Sequence, residues 1–394
     1  MSKHFAFVNV SAHGHVNPTL PLVRELVQRG HRVSYPISEP FRDAVTGAGA
    51  EFVEVPPWDR PKRPPGKVEF TAEVAAMMLG LLSADAQKNL PNLVAHFEAD
   101  RPDAVCYDMM SPVGPMLAAL LDVPAIRLMP SFASNEHYSM VAEFARNFDP
   151  NHPTLAAALD RFREFVAGFG VSRPVGTLFA PVPEDLNIVF VPREFQYAGE
   201  TFDDHYAFIG PSLGGREAAG DEWQPPAPGT RLLFISLGTA MNNNPEFFSL
   251  CFEAFGGTDW QVAMSVGDQV RLDNAPANFD VRPFFPQPAV LQHATAFVTH
   301  SGMNSTMESL YYEVPMVSAP QMPEQAANAR RVEELGLGRR LSADLTAAAL
   351  REAVDAVAND PKTRTNLADM ARTIGKAGGA PAGADAIEGF LAKG

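Results

Sequence analysis

The chain has 394 residues, 46% of them hydrophobic and 20% charged, and a net charge of −15. At roughly 150 residues per domain that length sets a prior of two domains, each with enough apolar residues for a core. An acidic chain without a Lys/Arg block argues against nucleic acid, whose phosphates need a positive surface. An anionic small molecule stays open, because helix N-termini bind phosphate without net positive charge.

The two cysteines, Cys106 and Cys251, lie far apart inside apolar segments and read as buried thiols of a reducing compartment. In the opening "MSKHFAFVNV" Asn9 breaks a short apolar run, so no signal peptide is expected. No stretch reaches the ~20 apolar residues that span a bilayer. A cytoplasmic protein without a membrane span is the expectation.

In chain order, "HFAFVNV" (4–10) reads as a buried parallel strand. A helix follows in "NPTLPLVRELVQRG", with Asn17 as N-cap, Pro18 at the first helical position and Gly30 closing it. "HRVSYPIS" (31–38) is the second strand, which completes a strand–helix–strand unit. Further strands are read at 103–108, 124–130 and 186–192, with helices in "TAEVAAMMLGLLSADAQKNLPNLVAHFEA" and "HYSMVAEFARNF". The segment 211–230, rich in Gly, Pro and charge, breaks the pattern. Alternation then restarts with strands in "RLLFISLGTA", "WQVAMSVG", "FDVRPFFP", "TAFVTHSG" and "PMVSAP". Alternating elements of this kind predict an α/β protein with two doubly wound parallel-sheet domains. They are placed at 1–212 and 227–376, with a linker at 213–226. A terminal helix, "GADAIEGFLAKG", lies within 377–394 after a Gly/Pro break at 378–383.

Ligands of open parallel sheets bind beyond the carboxyl ends of the strands. His13 and His15 follow the first strand, and Asp108 ends the strand "DAVCYD". Parallel strands bring both loops to one edge, where an aspartate can fix the imidazole tautomer and stabilise the imidazolium, as a general base requires. From these residues alone, capping of a turn stays equally open. A metal site is not expected, since no cysteine or further histidine stands near to complete it.

The second half is denser. In "AFVTHSGMNSTMESL" a strand runs into His300, and Gly302 lets backbone approach a ligand closely. Asn304, Ser305 and Thr306 fall in the first helical turn, where unpaired N–H groups favour a pyrophosphate. Glu308, one turn on, suits two ribose hydroxyls. An ordinary capped helix with a surface glutamate would carry the same spacing. No Walker lysine and no G-x-G-x-x-G are present, which disfavours an NAD-dependent oxidoreductase.

Phe284-x-Pro286-Gln287, His300-x-Gly302-x-Asn304-Ser305-x-x-Glu308, Pro315, Pro320 and Gln325 together resemble the nucleotide-sugar signature of the glycosyltransferase family 1 UDP-glycosyltransferases. "GHVNPTL", "ETFDD" (200–204), "ISLGTA" and "THSGMNSTMES" narrow the resemblance to the bacterial macrolide glycosyltransferase subgroup, over nearly the whole chain. The resemblance implies the GT-B architecture: two Rossmann-like domains facing each other across a cleft, the first for the acceptor and the second for the nucleotide sugar. The terminal helix then packs back on the first domain.

It also implies roles. His15 is the catalytic base and Asp108 its orienting partner, which demotes His13. Phe284, where many members have Trp, faces the uracil, with Phe285 beside it. Gln287 and Glu308 match the ribose contacts. His300, Gly302, Asn304 and Ser305 match the diphosphate site, with Ser236, Gly238 and Thr239 as the other phosphate-side loop. Glu324-Gln325 stands where Asp-Gln usually meets the sugar hydroxyls.

The implied reaction is inverting, metal-independent transfer of a hexose, glucose foremost, from a UDP-sugar to a hydroxyl of a hydrophobic macrolide, flavonoid or similar natural product. Such chemistry can serve antibiotic resistance. No tightly bound cofactor is expected. Met77, Met78, Met109, Met110 and Phe132 are candidate acceptor walls, although the methionines equally suit a core. A nucleotide-sugar epimerase and a non-catalytic nucleotide or macrolide binder are the alternatives, and the chain is expected to be a monomer or homodimer.

Overall fold

The computed structural model describes residues 2–57, 70–144, 146, 148–177, 181–213, 223–239, 242–342 and 344–393. The chain divides into two compact units. Unit 1 runs to Ser212 and resumes at Ala377, and unit 2 spans Leu213–Lys376. Most of the expected linker, residues 214–222, and Ala240 of "ISLGTA" lie outside the described residues.

Unit 1 is built on seven strands: β1 (His4–Val8), β2 (Arg32–Ile37), β3 (Glu51–Glu54), β4 (Ala104–Asp108), β5 (Ala125–Met129), β6 (Leu186–Val189) and β7 (Tyr206–Phe208). They pair all-parallel in the order β3-β2-β1-β4-β5-β6-β7. The central strands β1, β4, β5 and β6 are buried throughout, as apolar runs covered on both faces must be. The chain winds outward from β1 through β2 to β3, then returns to place β4 against the other side of β1. The loops after β1 and β4 therefore meet at the topological switch point.

The helices of this unit are α1 (His13–Val16), α2 (Leu20–Gln28), α3 (Arg42–Gly47), α4 (Ala72–Ala99), α5 (Val113–Leu121), α6 (Met140–Phe144) and α7 (Pro153–Gly168). The helical path begins before the expected start at Asn17. Its N-cap is the extended Ala12, and Asn17–Thr19 forms a 3₁₀ turn leading into α2. Gly30 accepts the left-handed φ of 87° that ends α2. The 28-residue α4 starts where the Thr71 hydroxyl accepts from the Val74 N–H, and it buries a stripe at Ala75, Leu79, Leu82, Ala86, Leu90, Leu93 and Phe97. Among the described residues of "HYSMVAEFARNF", Met140–Phe144 forms a regular helix.

Unit 2 repeats the plan with β8 (Leu232–Ser236), β9 (Gln261–Ser265), β10 (Phe279–Arg282), β11 (Ala296–Thr299), β12 (Met316–Ser318) and β13 (Gly338–Arg340). Their order is β10-β9-β8-β11-β12-β13, all parallel, so its switch point lies between β8 and β11. Its helices are α8 (Pro245–Phe255), α9 (Gln287–Leu291), α10 (Met303–Tyr311), α11 (Pro323–Glu334), α12 (Ala347–Asn359) and α13 (Pro361–Ala377). Cys106 on β4 and Cys251 on α8 are both free and buried, and burial pushes both thiols far up. Among the described residues no helix is long and apolar enough to cross a membrane.

The last helix, α14 (Gly379–Leu391), belongs to unit 1. The expected Gly/Pro break is absorbed into it. Gly378 and Gly379 turn the chain at φ 84° and 57°, and Pro381 falls in the first turn, where a missing N–H costs nothing. Ala384 and Ile387 are fully buried in the core that holds Phe5, Leu22 and Ile209. Around that seam His31 Nε2 donates to Glu388 at 2.7 Å, and Arg29 Nη1 donates to Asp385 at 2.5 Å and Glu388 at 2.7 Å. Because Lys3 N–H donates to His31 Nδ1 at 3.1 Å, the ring is the Nε2–H tautomer. Ile387→Ala empties a fully buried site, so urea unfolding should show unit 1 destabilised by about 2–5 kcal/mol. A change below 0.5 kcal/mol would mean that α14 is not part of that core.

Candidate functional site

In unit 1, His15 and Asp108 meet although 93 positions separate them. Asp108 ends β4 with 1% of its side chain exposed, and its Oδ2 lies 2.7 Å from His15 Nδ1. Its other oxygen, Oδ1, accepts the Met110 N–H at 2.8 Å, so the carboxylate cannot rotate freely. A carboxylate held in this way keeps the proton of the neutral ring on Nδ1 and makes Nε2 the basic nitrogen. His15 retains about a quarter of its side-chain surface, which gives the ring access to a reactant. His13 is exposed and lies against Phe41, with ring centroids 4.9 Å apart.

The histidine's backbone is fixed as well. Asn9 Nδ2 donates to His15 O at 3.2 Å, to Thr19 Oγ1 at 3.4 Å and to Tyr35 Oη at 2.7 Å. Thr19 and Tyr35 bond to each other at 2.9 Å, and burial pushes the Tyr35 phenol far up, so it stays protonated. The sequence reading noted Asn9 only as an interruption of an apolar run. A polar side chain at the buried end of a central strand was the available signal for this network.

In unit 2, the loops after β8 and β11 lie side by side. Ser236 ends β8, and its hydroxyl accepts the Gly238 N–H at 3.2 Å. Gly238 has φ 77°, and its carbonyl accepts from Asn242 Nδ2 at 2.9 Å. Thr239 is exposed. After β11 the chain passes His300, then Ser301 at φ 61°, then Gly302, which precedes α10. A Cβ on Gly238 would come within 2.6 Å of the His300 ring, and one on Gly302 within 2.4 Å. The two glycines therefore clasp the imidazole. Dense packing desolvates it and lowers its pKa to about 4, against a hydrogen bond to the Ser236 backbone, and Nδ1 has no hydrogen-bond partner. His300 is thus neutral at pH 7 and supplies no charge, and its one N–H is spent on the Ser236 carbonyl.

On α10, Asn304 and Ser305 occupy the first turn, with N–H groups at the positive end of a nine-residue helix. Gln287 Nε2 donates to Ser305 Oγ at 3.1 Å and to Glu308 Oε2 at 2.6 Å, tying α9 to α10. Glu308 is 1% exposed, unlike the surface glutamate of an ordinary capped helix. Phe284 has 52% of its surface exposed. Phe285 packs edge-on to Phe234, with Arg282 over its ring. On α11 Gln325 is buried and its amide oxygen accepts the Gln321 N–H at 2.8 Å, while Glu324 Oε1 accepts from Asn328 at 2.8 Å. Asn242 and Asn328 were not singled out from sequence. Both brace backbone, a role without a motif.

Of the candidate acceptor walls, Met77 on α4 is exposed, and Met78, Met109 and Met110 are half-buried. Phe132 requires correction. It has no exposed surface and lies inside an aromatic cluster, stacked on Phe195 at 5.6 Å with Tyr138 and Tyr197 against it. Its role is to support the loop after β5, because a ring closed on all sides cannot touch an acceptor. Among the described residues no group of three or more His, Cys, Asp or Glu is placed to hold a metal ion.

Residues 228–375 match the family model described as UDP-glucoronosyl and UDP-glucosyl transferase. The chain is 41% identical to the NDP-glycosyltransferase YjiC of Bacillus licheniformis, over 99% of this chain and 98% of that one. It is 37% identical to the demethyllactenocin mycarosyltransferase of Streptomyces fradiae, over 98% and 86%. The crystal structure of CalG4, the calicheamicin glycosyltransferase, superposes with a TM-score of 0.84 at 35% identity, covering 99% of this chain and 98% of that one.

The state of His300 has a measurable consequence. An unfolded histidine takes up its proton near 6.5, whereas the folded ring refuses it until about pH 4. Its contribution to stability is therefore full above pH 6.5 and is lost as pH falls towards 4. Urea unfolding across that window should fall less steeply for His300→Gln than for the wild type. Equal slopes would show that the ring is not held neutral by burial.

Proposed function

The chain belongs to the glycosyltransferase family 1 UDP-glycosyltransferases, among the bacterial macrolide-type enzymes, and we propose that it transfers glucose from UDP-glucose to a hydroxyl of a hydrophobic natural product, with inversion and without a metal. Macrolides and flavonoids are the acceptor classes we propose. Unit 1 is the acceptor domain in this reading and unit 2 the nucleotide-sugar domain. The observation that carries it is the 2.7 Å bond between His15 Nδ1 and Asp108 Oδ2. Such a bond is the support a histidine needs to act as a general base near neutral pH.

His15 Nε2 takes the proton of the acceptor hydroxyl as that oxygen attacks the anomeric carbon. The new C–O bond forms on the face opposite the leaving group, and the bond to the diphosphate breaks, so an α-linked donor gives a β-linked product. The electron pair of the broken bond leaves on UDP, while Asp108 stabilises the imidazolium. Charge growing on the diphosphate is met by the first-turn amides of α10 and the Ser305 hydroxyl. Preorganised donors of this kind do the work otherwise given to a divalent cation.

Phe284 offers a flat, exposed ring on which uracil can stack. The ribose hydroxyls displace the Gln287 amide from Glu308, exchanging one set of hydrogen bonds for another. Glu324 and Gln325 face the sugar hydroxyls, and Glu in place of Asp extends the reach by one methylene. The half-buried Met78, Met109 and Met110 and the exposed Met77 provide an adaptable apolar surface for the acceptor. We place the enzyme in the cytoplasm, in keeping with its free thiols, and natural-product inactivation in antibiotic resistance is a role consistent with this chemistry.

Mass spectrometry of reactions pairing UDP-glucose and dTDP-glucose with macrolide and flavonoid panels tests donor and acceptor together, and the anomeric proton coupling reads the stereochemistry. A hexose adduct with a β linkage, formed equally well in EDTA, is expected, and an α linkage would exclude the displacement drawn above. His15→Ala should lower kcat by about 10² to 10⁴ while leaving the KM for UDP-sugar nearly unchanged. Asp108→Asn should also act on kcat, because the amide can hold the ring in the wrong tautomer. Loss of donor binding in step with turnover would contradict the base role.

A further inference from the structure

Asn328 lies in the interior of α11 with no exposed surface. Helix propensity does not favour asparagine there, and an amide buried in this way must find partners. The partners it finds belong to two different segments. Its Nδ2 donates to Glu324 Oε1 at 2.8 Å, one turn earlier on α11. The same nitrogen donates to Ser301 O at 2.8 Å, in the loop after β11. An amide carries two N–H donors, so both bonds can be made at once.

Ser301 holds a left-handed φ of 61°, a conformation that a residue with a Cβ adopts only under constraint. Its N–H donates to Thr299 Oγ1 at 3.1 Å, so side chains grip it on both its N–H and its carbonyl. The carbonyl and N–H of a trans peptide point in opposite directions, so holding Ser301 O towards Asn328 aims the Gly302 N–H away from α11. Glu324, half-buried in the first turn of α11, has a long side chain that would otherwise sample several rotamers. One amide thus ties the carboxylate assigned to the donor sugar to the loop assigned to the diphosphate.

We propose that Asn328 is a positioning residue for donor-sugar recognition, setting the Glu324 carboxylate against the Ser301–Gly302 loop so that it reads a sugar hydroxyl at a fixed place relative to the diphosphate. Asn328 acts through Glu324 and touches no part of the donor. The inference rests on transfer from a UDP-sugar with Glu324 at the sugar, and adds the residue that makes this contact selective. A carboxylate released from its bond to Asn328 accepts from water as readily as from a hydroxyl, so discrimination between sugars is lost.

The test compares UDP-glucose with analogues that each lack one sugar hydroxyl, using a single acceptor. For the wild type, kcat/KM for at least one analogue should be lower by about tenfold or more, because its missing hydroxyl leaves a polar group of the site unpaired. In Asn328→Leu, close in size but without donors, that ratio should fall towards one. A merely structural asparagine would instead lower kcat/KM for every donor alike and leave the ratio unchanged, which overturns the proposal. Asn328→Asp, the same shape without the two donated hydrogens, repeats the test should the leucine variant not fold. Glu324→Ala should erase the same ratio, and adding Asn328→Leu to it should change the ratio no further. A ratio unaltered by Glu324→Ala overturns the proposal without any change at Asn328, since no sugar-reading carboxylate would then exist to position. A wild type that accepts every analogue equally overturns it too. Transfer from none of these donors to any acceptor would sink the glycosyl-transfer reading itself, whereas transfer without discrimination sinks only the role of Asn328.

Discussion

A hydrogen bond between one ring nitrogen and one carboxylate oxygen, His15 Nδ1 and Asp108 Oδ2 at 2.7 Å, sets the terms for the rest of unit 1. The two residues are far apart in sequence, and only a sheet that reverses its winding between β1 and β4 brings their loops together. The aspartate is buried and has a second donor in the Met110 N–H, so it imposes orientation on the ring instead of following it. Asn9, Thr19 and Tyr35 do the same for the histidine's backbone. Ring and main chain are thus held independently, which a base acting within a few tenths of an ångström requires.

Unit 2 uses the same topology for a different purpose. Its switch point lies between β8 and β11, and the loops there are shaped by backbone, not by charged side chains. Two glycines leave room for the His300 ring, Ser301 takes a left-handed turn, and α10 points its first amides outward. In an acidic chain without a basic cluster, dipoles and neutral donors are the means left for meeting a diphosphate. That economy accords with the net charge of −15.

Much of this was legible in the residues. Central strands announced themselves as apolar runs, and β1, β4, β8 and β11 fall inside the segments read from sequence. The edge strands β3, β7 and β13 did not. "EFVE", "YAF" and "GRR" are short, half-exposed or charged, and they become strands only because a neighbour offers its free edge. The helix start at His13 was hidden because Ala12 caps it without a side-chain bond. Phe132 was misjudged since an aromatic residue in a loop looks the same in sequence whether it lines a pocket or plugs one. The burial of Glu308 against Gln287 is a contact between two motifs that neither motif contains. Asn9 was visible, but its importance depends on what lies behind it.

The tautomer of His15 tests the central claim most directly. Nitrogen-15 NMR of the histidine-labelled protein at alkaline pH, with His15 assigned by its loss in the His15→Ala variant, reports which ring nitrogen carries the proton. The account requires the proton on Nδ1, in the bond to Asp108, with Nε2 bare. A neutral ring found protonated on Nε2, or one whose Nδ1 signal is indifferent to Asp108→Ala, would contradict it.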